Sequence, residues 1–519
     1  MLSLVYAYLL HYILHIPCFG LYKKAGKNPL HVFIPLVQDF TLLEIIGRPK
    51  NQAYWGLVPY VNFLFGLTWT TDICNSFGKR NFLQHLAGIF WGYIYFPIIG
   101  FLDKNTVYEG PSHSKDKDKK AKRSFAREWA DAIVFAVVAA TIIRTFVIEA
   151  YKIPTTSMEG SLLAGDFLFV SKLNYGARTP MTPVAFPFAH HTMPFNLGKA
   201  YSKIIQLGYH RLPGFERIKN GDVVVFNYPG DAYQFAERPL DKRENYVKRC
   251  VGIAGDTLEV RNKQLYINGV PQPQYQHMQF EYIVKTNGTS LSADVIKSLG
   301  INWYNDFPEI IYTYPNGNQQ MGFTDEIGNP VGPPDELFAQ FQNYLNQNKD
   351  SAAVLLTYSQ AEDLKKQPNV TAILPVNTST IQGNWTYSLV AQYYKWNLDN
   401  YGPIIIPKKG WTIDLNNKDN LYRYAQTIVL YEHADATIVE DRLLIKGQPV
   451  TSYTFKQNYY WMMGDNRHNS LDSRYWGYVP EDHVVGKPLF VWLSKDNFNP
   501  GMESVHWNRM FRSVTHLCR

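Results

Sequence analysis

Three polar segments of this 519-residue chain carry side chains whose types and spacing could do chemistry. The first segment, residues 153–172, holds Ser157 among Pro, Thr and Gly residues, which favour an irregular backbone. The second, residues 244–260, holds Lys248 within an apolar run that is typical of a strand. The third, residues 459–480, is dense in turn-forming polar residues between apolar ones, a pattern that commonly supports a site.

Each of these residues also has an ordinary structural interpretation. A lone serine in such a context is more often a turn hydroxyl than a nucleophile, and an isolated strand lysine often protects a sheet edge. Period-2 alternation points Lys248 and Arg249 to opposite faces of the strand, so that one of them can meet apolar surroundings. A desolvated lysine has a lowered pKa and can serve as the general base that a serine nucleophile needs. The residues alone leave both interpretations open.

Other catalytic classes find little support. The sequence contains no GxSxG elbow, no HExxH pair and no nucleotide-binding P-loop. A Ser-x-x-Lys pair occurs at Ser112 and Lys115, in a charged segment where no pocket is expected. His468 is the only histidine within the three segments, which disfavours a Ser/His/Asp triad. The four cysteines have no metal-binding spacing, and we expect neither a metal nor a cofactor.

Positive charge is concentrated near the N-terminus, where Lys and Arg outnumber Asp and Glu by six in residues 1–149, against a net charge of +7 for the whole chain. The excess lies beside uncharged apolar runs at 1–22, 51–71 and 81–102, each long enough to cross a hydrocarbon core of ~30 Å as a helix. A fourth apolar run lies within 129–149. A nucleic-acid binder usually spreads its cations over a folded face, so this pattern indicates a membrane protein.

The positive-inside rule predicts the topology of these runs. It assigns the basic segment 103–128 to the cytoplasm, which gives four spans with the N-terminus outside and the chain beyond residue 150 outside the cytoplasm. Lys79 and Arg80 then lie on the outer side, against the rule.

Beyond residue 150, short Val, Ile, Tyr and Phe runs alternate with Gly, Pro and Asn turns, which predicts a mainly β region. Residues 257–271 and 436–450 both read as strand–turn–strand hairpins, and we interpret them as a shared hairpin design rather than a duplication.

Four boxes of the sequence, taken in order, resemble those of bacterial type I signal peptidase, the membrane-bound leader peptidase. They are IPTTSM (153–158) for the nucleophile box, NGDVVVF (220–226) for the next strand, YVKRCVGIAGD (246–256) for the lysine box and MGDNRHNSLDSRYWGYVP (463–480) for the closing box. Each box alone is moderate evidence, whereas four in this order are specific. The resemblance covers about 129–275 and 400–495 and does not explain 1–102 or most of 275–400.

The resemblance implies a Ser/Lys dyad in which Ser157 is the nucleophile and Lys248 the general base. Thr155 aligns with the family's oxyanion-hole serine and would act with the Ser157 N–H, Met158 would belong to the substrate-binding floor, and Ser470 would orient the lysine. The supporting residues implied in the same way are Arg249, Asp465, Asn466, Asp472 and Arg474, with an ion pair between the last two. The sequence departs from the family at Thr156, where a glycine is common, and at His468, where an acid is frequent and to which we give no catalytic role.

The implied organisation is N-terminal transmembrane helices followed by a mainly β catalytic domain of signal-peptidase-like fold with a large inserted β-rich cap. In chain order we predict a membrane region (1–102), a basic cytoplasmic linker (103–128), a transmembrane anchor (129–149), a first part of the catalytic core (150–275), the inserted cap (276–400), a second part of the core (401–500) and a C-terminal tail (501–519).

The implied activity is that of a serine endopeptidase of the bacterial inner membrane, with its catalytic domain on the periplasmic side, that removes N-terminal signal peptides from exported preproteins. Its partners would be preprotein signal peptides and membrane lipid, with the secretion translocon as a further candidate and no nucleic acid. Two alternatives stay open: a non-catalytic, membrane-anchored envelope assembly factor that keeps the fold, and a processing subunit of eukaryotic type with Ser/His chemistry.

Overall fold

The computed structural model describes most of the chain. The described residues are 12–13, 15–57, 61–113, 136–137, 139–186, 189–193, 198–230, 238–301, 311–313, 319–321, 343, 345–376, 386–432, 435–495 and 505–518. The chain divides into two compact units, Met1–Ile142 and Ile143–Arg519.

The first unit is helical. Its α-helices α1 to α4 are Phe19–Lys24, Val37–Ile46, Val61–Ser76 and Phe82–Pro97, followed by a π-helical turn at Ile98–Leu102, and its 3₁₀ helices are Ile16–Cys18, Pro29–Phe33 and Lys50–Leu57. Together they bury an apolar core around Tyr22, Trp69 and Phe96. By length and composition, one helix in the described part of the chain, Leu83–Leu102, could cross a membrane.

This helix is bent. Trp91 has non-helical dihedral angles (φ −126°, ψ 30°) in the middle of α4. Lys79 Nζ, just before the helix, lies 2.8 Å from Asp103 Oδ2, just after it. A straight helix of this length would separate its ends by about 30 Å. The apolar run 81–102, expected from its sequence to cross the membrane as one span, therefore folds back on itself as a helical hairpin.

The other expected spans are described only in part. Residues 1–11 and 14 of the first run lie outside the described residues, as do residues 58–60 of the second run, which is divided between a 3₁₀ helix and α3. Of the expected anchor, residues 129–135 and 138 lie outside the described residues, and 136–137 and 139–146 are helical. The spans at 1–22, 51–71 and 129–149 stay predictions.

The start of the expected linker packs on the first unit. Tyr108 donates a hydrogen bond to the Ile45 carbonyl at 2.6 Å, and the Glu109 N–H donates to the Ser76 carbonyl at 2.9 Å. Residues 114–128, the most basic part, lie outside the described residues.

The second unit is mainly β. Its strands are β1 Ile148–Lys152, β2 Asp166–Ser171, β3 Val223–Asn227, β4 Asn245–Gly252, β5 Thr257–Arg261, β6 Gln264–Ile267, β7 Val270–Pro271, β8 Gln279–Thr286, β9 Ile311–Thr313, β10 Gln319–Met321, β11 Ser351–Thr357, β12 Val370–Pro375, β13 Tyr401–Ile405, β14 Thr412–Asp414, β15 Ala436–Val439, β16 Arg442–Ile445, β17 Gln448–Pro449, β18 Ser452–Thr454, β19 Tyr459–Met463, β20 Val479–Pro480 and β21 Val484–Ser494. Its helices α5 to α10 are Ala293–Ser298, Tyr358–Leu364, Thr386–Tyr393, Lys418–Tyr431, Ser473–Trp476 and Val514–Leu517.

A seven-stranded antiparallel sheet carries the boxes that the sequence singled out. Its strand order is β1-β2-β21-β3-β4-β19-β20. Strand β3 is buried along its whole length, as its Val-Val-Val-Phe run predicts. Strand β4 pairs with β3 on one side, where Lys248 lies opposite Val224, and with β19 on the other. The sheet therefore sets the lysine box beside the strand that leads into the closing box.

The two hairpins predicted from the sequence are confirmed. Strands β5 and β6 join through Asn262 and Lys263, with φ of 48° and 70°, and β15 and β16 join through Glu440 and Asp441, with φ of 45° and 57°. Two successive positive φ angles give the type I′ turn that suits the twist of a two-residue hairpin.

A smaller sheet of order β11-β8-β12, with α5 and α6, forms a part of the chain that we call the inserted lobe. It has its own apolar core, which includes Val284, Ile296 and Leu356. The chain then returns to the sheet β13-β5-β6-β7 at Tyr401. The lobe falls inside the predicted 276–400 insertion, and its role as a cap stays a prediction.

Candidate active site

Ser157 and Lys248 meet, although 91 residues separate them in the sequence. Ser157 lies in the turn between β1 and β2, and Lys248 lies on β4. Lys248 Nζ is 2.5 Å from Ser157 Oγ, which is hydrogen-bonding distance. The lysine is 3% exposed, and its Nζ also lies 5.3 Å from the centre of the Tyr246 ring. The arrangement is that of a hydroxyl beside a buried amine.

Burial lowers the pKa of Lys248 to about 8, because the charged ammonium loses its hydration. The carboxylates of Asp472 and Asp465 act in the opposite direction, and the Arg474 guanidinium lowers the pKa further. A substantial fraction of the amine is therefore neutral near pH 8, and only the neutral amine can accept a proton.

Thr155 and Met158 lie on either side of the serine in the sequence. Thr155 is exposed, and its Oγ1 lies 3.5 Å from Ser157 Oγ. Met158 is fully buried and belongs to the apolar core under β1, β2 and β21. A second hydroxyl thus stands beside the Ser157 hydroxyl, and the methionine forms part of the packing beneath it.

The segment 464–472, which we call the closing loop, fixes the backbone around Ser157. The Asn466 N–H donates a hydrogen bond to the Ser157 carbonyl at 3.2 Å, and Asn466 Nδ2 donates to the Thr156 carbonyl at 3.2 Å. Thr156, at the position where glycine is common, is buried, and its Oγ1 accepts from Asn469 Nδ2 at 3.4 Å. The closing loop therefore holds the main chain of Ser157 in place.

Ser470 is buried beside these groups. A Cβ added to Gly464 would overlap both Ser470 Oγ and the Ser157 carbonyl oxygen, which shows how close Ser470 is to the backbone of Ser157. Its Oγ has no hydrogen-bond partner among the described residues. Ser470, which the resemblance implies orients Lys248, therefore forms no hydrogen bond with it in this structure.

Arg249, the neighbour of Lys248, points the other way along β4 and forms a buried ion pair with Asp465. Its Nε and Nη2 donate to the two carboxylate oxygens of Asp465 at 2.8 and 2.6 Å, and Ser161 Oγ donates to the same carboxylate at 2.6 Å. Burial alone would raise the pKa of Asp465, but the Arg249 guanidinium lowers it below its ordinary value. The pair therefore stays charged and links β4 to the closing loop.

Asp472 and Arg474 form a second buried ion pair. Arg474 donates from Nε and Nη2 to the two carboxylate oxygens at 2.9 and 2.7 Å, and the Gly464 N–H donates to Asp472 Oδ2 at 3.1 Å. Burial raises the pKa of Asp472, whereas Arg474 lowers it, and the net pKa is below the ordinary value. The hydrogen bond from Gly464 to Asp472 joins the two ends of the closing loop, and Arg474 pairs with the same carboxylate.

Sequence reasoning missed the place of His468. Its side chain is almost fully buried, its Nε2 lies 2.8 Å from Asp399 Oδ1, and its Nδ1 accepts a hydrogen bond from the Glu281 N–H at 3.1 Å. Because Nδ1 accepts, Nε2 carries the proton and donates to Asp399. His468 thus joins the closing loop to both stems of the inserted lobe, a contact that no local pattern could reveal.

Two further residues at the site have local signals that were not used. Tyr246 lies two residues before Lys248, so period-2 alternation places it on the same face of β4. Ser161, a partner of Asp465, lies within the first box. In the described part of the chain, no group of three or more His, Cys, Asp or Glu side chains could hold a metal ion.

Comparison with known proteins gives two family matches. The family described as signal peptidase, peptidase S26, matches residues 126–306 and 417–493. A family of unknown function matches residues 30–111, within the first unit. The interval between the two matched parts of the peptidase family contains most of the inserted lobe.

Several curated relatives are signal peptidases. Signal peptidase I of Buchnera aphidicola from Acyrthosiphon pisum is 22% identical over 82% of this chain and 94% of its own length. Signal peptidase I of Helicobacter pylori is 24% identical over 76% of this chain and 93% of its own length. Signal peptidase I of Pseudomonas aeruginosa is 29% identical over 31% of this chain and 46% of its own length. The chain belongs to the type I signal peptidases of the peptidase S26 family and is a serine peptidase of the hydrolase class.

Proposed function

We propose that this protein removes signal peptides from exported preproteins with Ser157 as nucleophile and Lys248 as general base. The observation that carries the proposal is the 2.5 Å contact between Lys248 Nζ and Ser157 Oγ, with the lysine buried. A serine hydroxyl needs a neighbour to take its proton, and a lysine can do so once burial has lowered its pKa.

In the proposed reaction, the neutral amine of Lys248 accepts the hydroxyl proton of Ser157 while Oγ attacks the carbonyl carbon of the scissile peptide bond. The resulting ammonium then donates that proton to the leaving amine, and an acyl-enzyme remains. Water, deprotonated by the same amine, attacks the ester carbonyl carbon. The bond from that carbon to Ser157 Oγ then breaks, the ammonium returns the proton to Oγ, and the signal peptide is released with a free carboxylate. The lysine is thereby base and acid in turn.

The tetrahedral intermediates carry a negative oxygen that needs hydrogen-bond donors. We assign this role to the Thr155 hydroxyl and the Ser157 N–H. The exposed Thr155 Oγ1, 3.5 Å from Ser157 Oγ, supports the first assignment. Met158 would support the binding floor, and Ser470 would orient Lys248 once its hydroxyl turns toward Nζ.

The two buried ion pairs would act on the dyad indirectly. Arg249–Asp465 and Asp472–Arg474 both attach to the closing loop, which holds the Ser157 carbonyl through Asn466. We propose that these pairs keep the nucleophile at a fixed distance from the lysine.

We also propose that the protein is anchored in the bacterial inner membrane with its catalytic unit on the periplasmic side. The concentration of positive charge in residues 1–149 and the apolar run at 129–149 support this orientation. Anchoring enzyme and preprotein in one membrane raises their effective concentration. We then expect membrane lipid to surround the anchor and the secretion translocon to lie nearby.

Cleavage of a preprotein by purified variants tests the dyad. We expect Ser157→Ala and Lys248→Ala each to lower kcat by at least about 10³-fold, because losing the nucleophile or its base removes the covalent route. Release of the mature protein is measured by its changed mobility on a gel. The mass of the mature protein identifies its new N-terminus.

Two exposed residues provide matched controls. Ser452→Ala removes a hydroxyl from a strand of the same unit, and Lys285→Ala removes a lysine from β8; both are expected to leave cleavage unchanged. Thermal unfolding checks that all four variants fold. Near-normal cleavage by either dyad variant would refute the mechanism, and a wild-type protein that cleaves no preprotein would favour the non-catalytic assembly factor.

A further inference from the structure

Three consecutive apolar segments of the first unit are each closed by an ion pair between their two ends. The pairs are Lys27–Glu44, Arg48–Asp72 at 2.6 Å and Lys79–Asp103 at 2.8 Å. We call the segments between these pairs the three loops, with bounds 27–44, 48–72 and 79–103. The first and last residues of each loop are therefore close together in space.

The closing pairs lie at one end of the unit, which we call the charged end. Lys50 lies 3.9 Å from the carboxylate of Glu44, so the first two loops meet there. Lys24 Nζ donates to the carbonyls of Ile99, Asp103 and Thr106 at 2.7–2.9 Å, which brings the end of the third loop to the start of the first. The ends of the loops therefore lie close together.

The third loop first runs away from the charged end. His85 Nε2 lies 3.1 Å from Asn75 Oδ1, and a Cβ on Gly88 would meet Cys74 Sγ at 3.0 Å and Thr70 at 3.2 Å. Residue numbers therefore increase along the third loop, from 85 to 88, while those of its partners on α3 decrease, from 75 to 70. The two helices are antiparallel.

The same loop then turns at Trp91 and returns. Tyr93 donates to the Ile13 carbonyl, Gly100 approaches Gly20, and the π turn ends at the carbonyls that bind Lys24. Residues 82–90 and 92–102 each rise by about 15 Å at 1.5 Å per residue. That distance is about half of a ~30 Å hydrocarbon core.

The turn of this hairpin is apolar and uncovered. Phe90, Trp91 and Ile94 are 69%, 61% and 62% exposed, whereas the charged end carries the ion pairs. An apolar tip on a helical hairpin, whose backbone groups are bonded within its helices, suits a hydrocarbon environment rather than water.

We propose that the third loop enters the membrane from the side of the basic linker, reaches about its middle and returns to the same side, with the apolar tip in contact with lipid. The run 81–102 then does not cross the membrane. Lys79 and Arg80 move to the linker side, which removes their conflict with the positive-inside rule. The proposal keeps the basic linker on the cytoplasmic side of the membrane. This inference concerns the first unit and is independent of the proposed dyad.

Sidedness of the two ends of the third loop tests the proposal. Arg80→Cys and Lys104→Cys place single exposed thiols before and after the hairpin. The full-length protein is labelled with a membrane-impermeant maleimide in inside-out and right-side-out membrane vesicles. Wild type is the blank, because all four native cysteines are buried.

We expect both thiols to be labelled from the cytoplasmic side alone. A straight span at 81–102 would instead expose them on opposite sides, and that result would overturn the proposal. A spin label on Trp91→Cys measures depth, with Lys104→Cys as the reference at the charged end. A label near the bilayer centre supports re-entry, whereas a label at headgroup depth means that the hairpin lies on the surface and refutes it.

Discussion

At the scale of single residues, the chemistry depends on the environment of one lysine. Lys248 is 3% exposed and, among the described residues, forms no ion pair, whereas the neighbouring Arg249 and Arg474 each pair with an aspartate. Neutralised neighbours leave desolvation as the main influence on the lysine, and its pKa falls to about 8. A paired lysine would keep its proton and could not serve as a base.

The pKa of Lys248 gives a pH dependence for cleavage. The protonated ammonium cannot accept a proton, so kcat/KM should rise about tenfold per pH unit below pH ~8 and level off above it. We expect a single rise in kcat/KM with increasing pH, with a midpoint near 8. The profile is measured on a soluble peptide substrate between pH 5.5 and 10.

Lys248→Arg is the companion variant. A guanidinium stays charged at every pH of this range, so cleavage should be lost without restoration at high pH. A midpoint near 6.5 would indicate a histidine base and contradict the Ser/Lys dyad.

At the scale of elements, the closing loop contacts the backbone of Ser157, the proposed nucleophile. The loop contacts the Ser157 carbonyl through Asn466, and Asp465 and Asp472 tie it to two arginines. Gly464 is the position of closest approach, because any Cβ there would overlap the Ser157 carbonyl oxygen and Ser470 Oγ. A side chain at this point must push the nucleophile or the loop away.

Gly464→Ala therefore tests whether the loop sets the reaction geometry. A shift of about 1 Å at the nucleophile can cost about a hundredfold in rate, and overpacking costs about 1–3 kcal/mol of stability. We expect kcat to fall on that order while KM changes little, as measured by peptide cleavage and thermal unfolding.

Gly208→Ala is the matched control, since its added Cβ would meet no atom within 4 Å. It should leave both kcat and stability unchanged. Full activity of Gly464→Ala would show that the loop's approach to Ser157 has no catalytic role.

At the scale of the whole molecule, the chain forms two units with separate apolar cores. The first unit carries the ion-paired loops, and the second carries the Ser157–Lys248 contact and the inserted lobe. The proposed orientation sets the basic linker in the cytoplasm and the second unit outside it. Charge asymmetry is the physical basis, because cations are retained on the cytoplasmic side.

Sidedness of the catalytic unit checks this orientation. Lys366→Cys introduces a thiol at a position whose side chain is 74% exposed, and Lys117→Cys introduces one in the basic linker. In intact spheroplasts, an impermeant maleimide should label the first and spare the second until the membrane is opened. Labelling of both or neither in intact cells would contradict the proposed topology.

Much of the fold near the site followed from local pattern. The alternation around Lys248 predicted a strand with its two basic residues on opposite faces, and the structure has β4 with Lys248 toward Ser157 and Arg249 toward Asp465. The two hairpins were also predictable, because each is a short strand–turn–strand pattern within one stretch of sequence.

The path of the chain in the first unit could not be predicted from local pattern. An uncharged run of about 20 residues satisfies the length of a span, and nothing in residues 81–102 announces a turn at Trp91. The turn depends on Lys79 meeting Asp103 and on Lys24 meeting the π turn, contacts between segments far apart in the sequence. Hydropathy measures transfer into lipid but not the path of the chain.

The sequence by itself determined the chemistry available to this protein: a serine in a turn, a lysine in an apolar strand and a polar closing segment, in an order that resembles one peptidase family. Only the tertiary structure decided that the serine and the lysine are 2.5 Å apart, that His468 joins the closing loop to the inserted lobe, and that the third apolar run returns on itself. The reason is physical, because residue types and periodicity act locally, whereas desolvation and ion pairing depend on which distant segments the fold brings together.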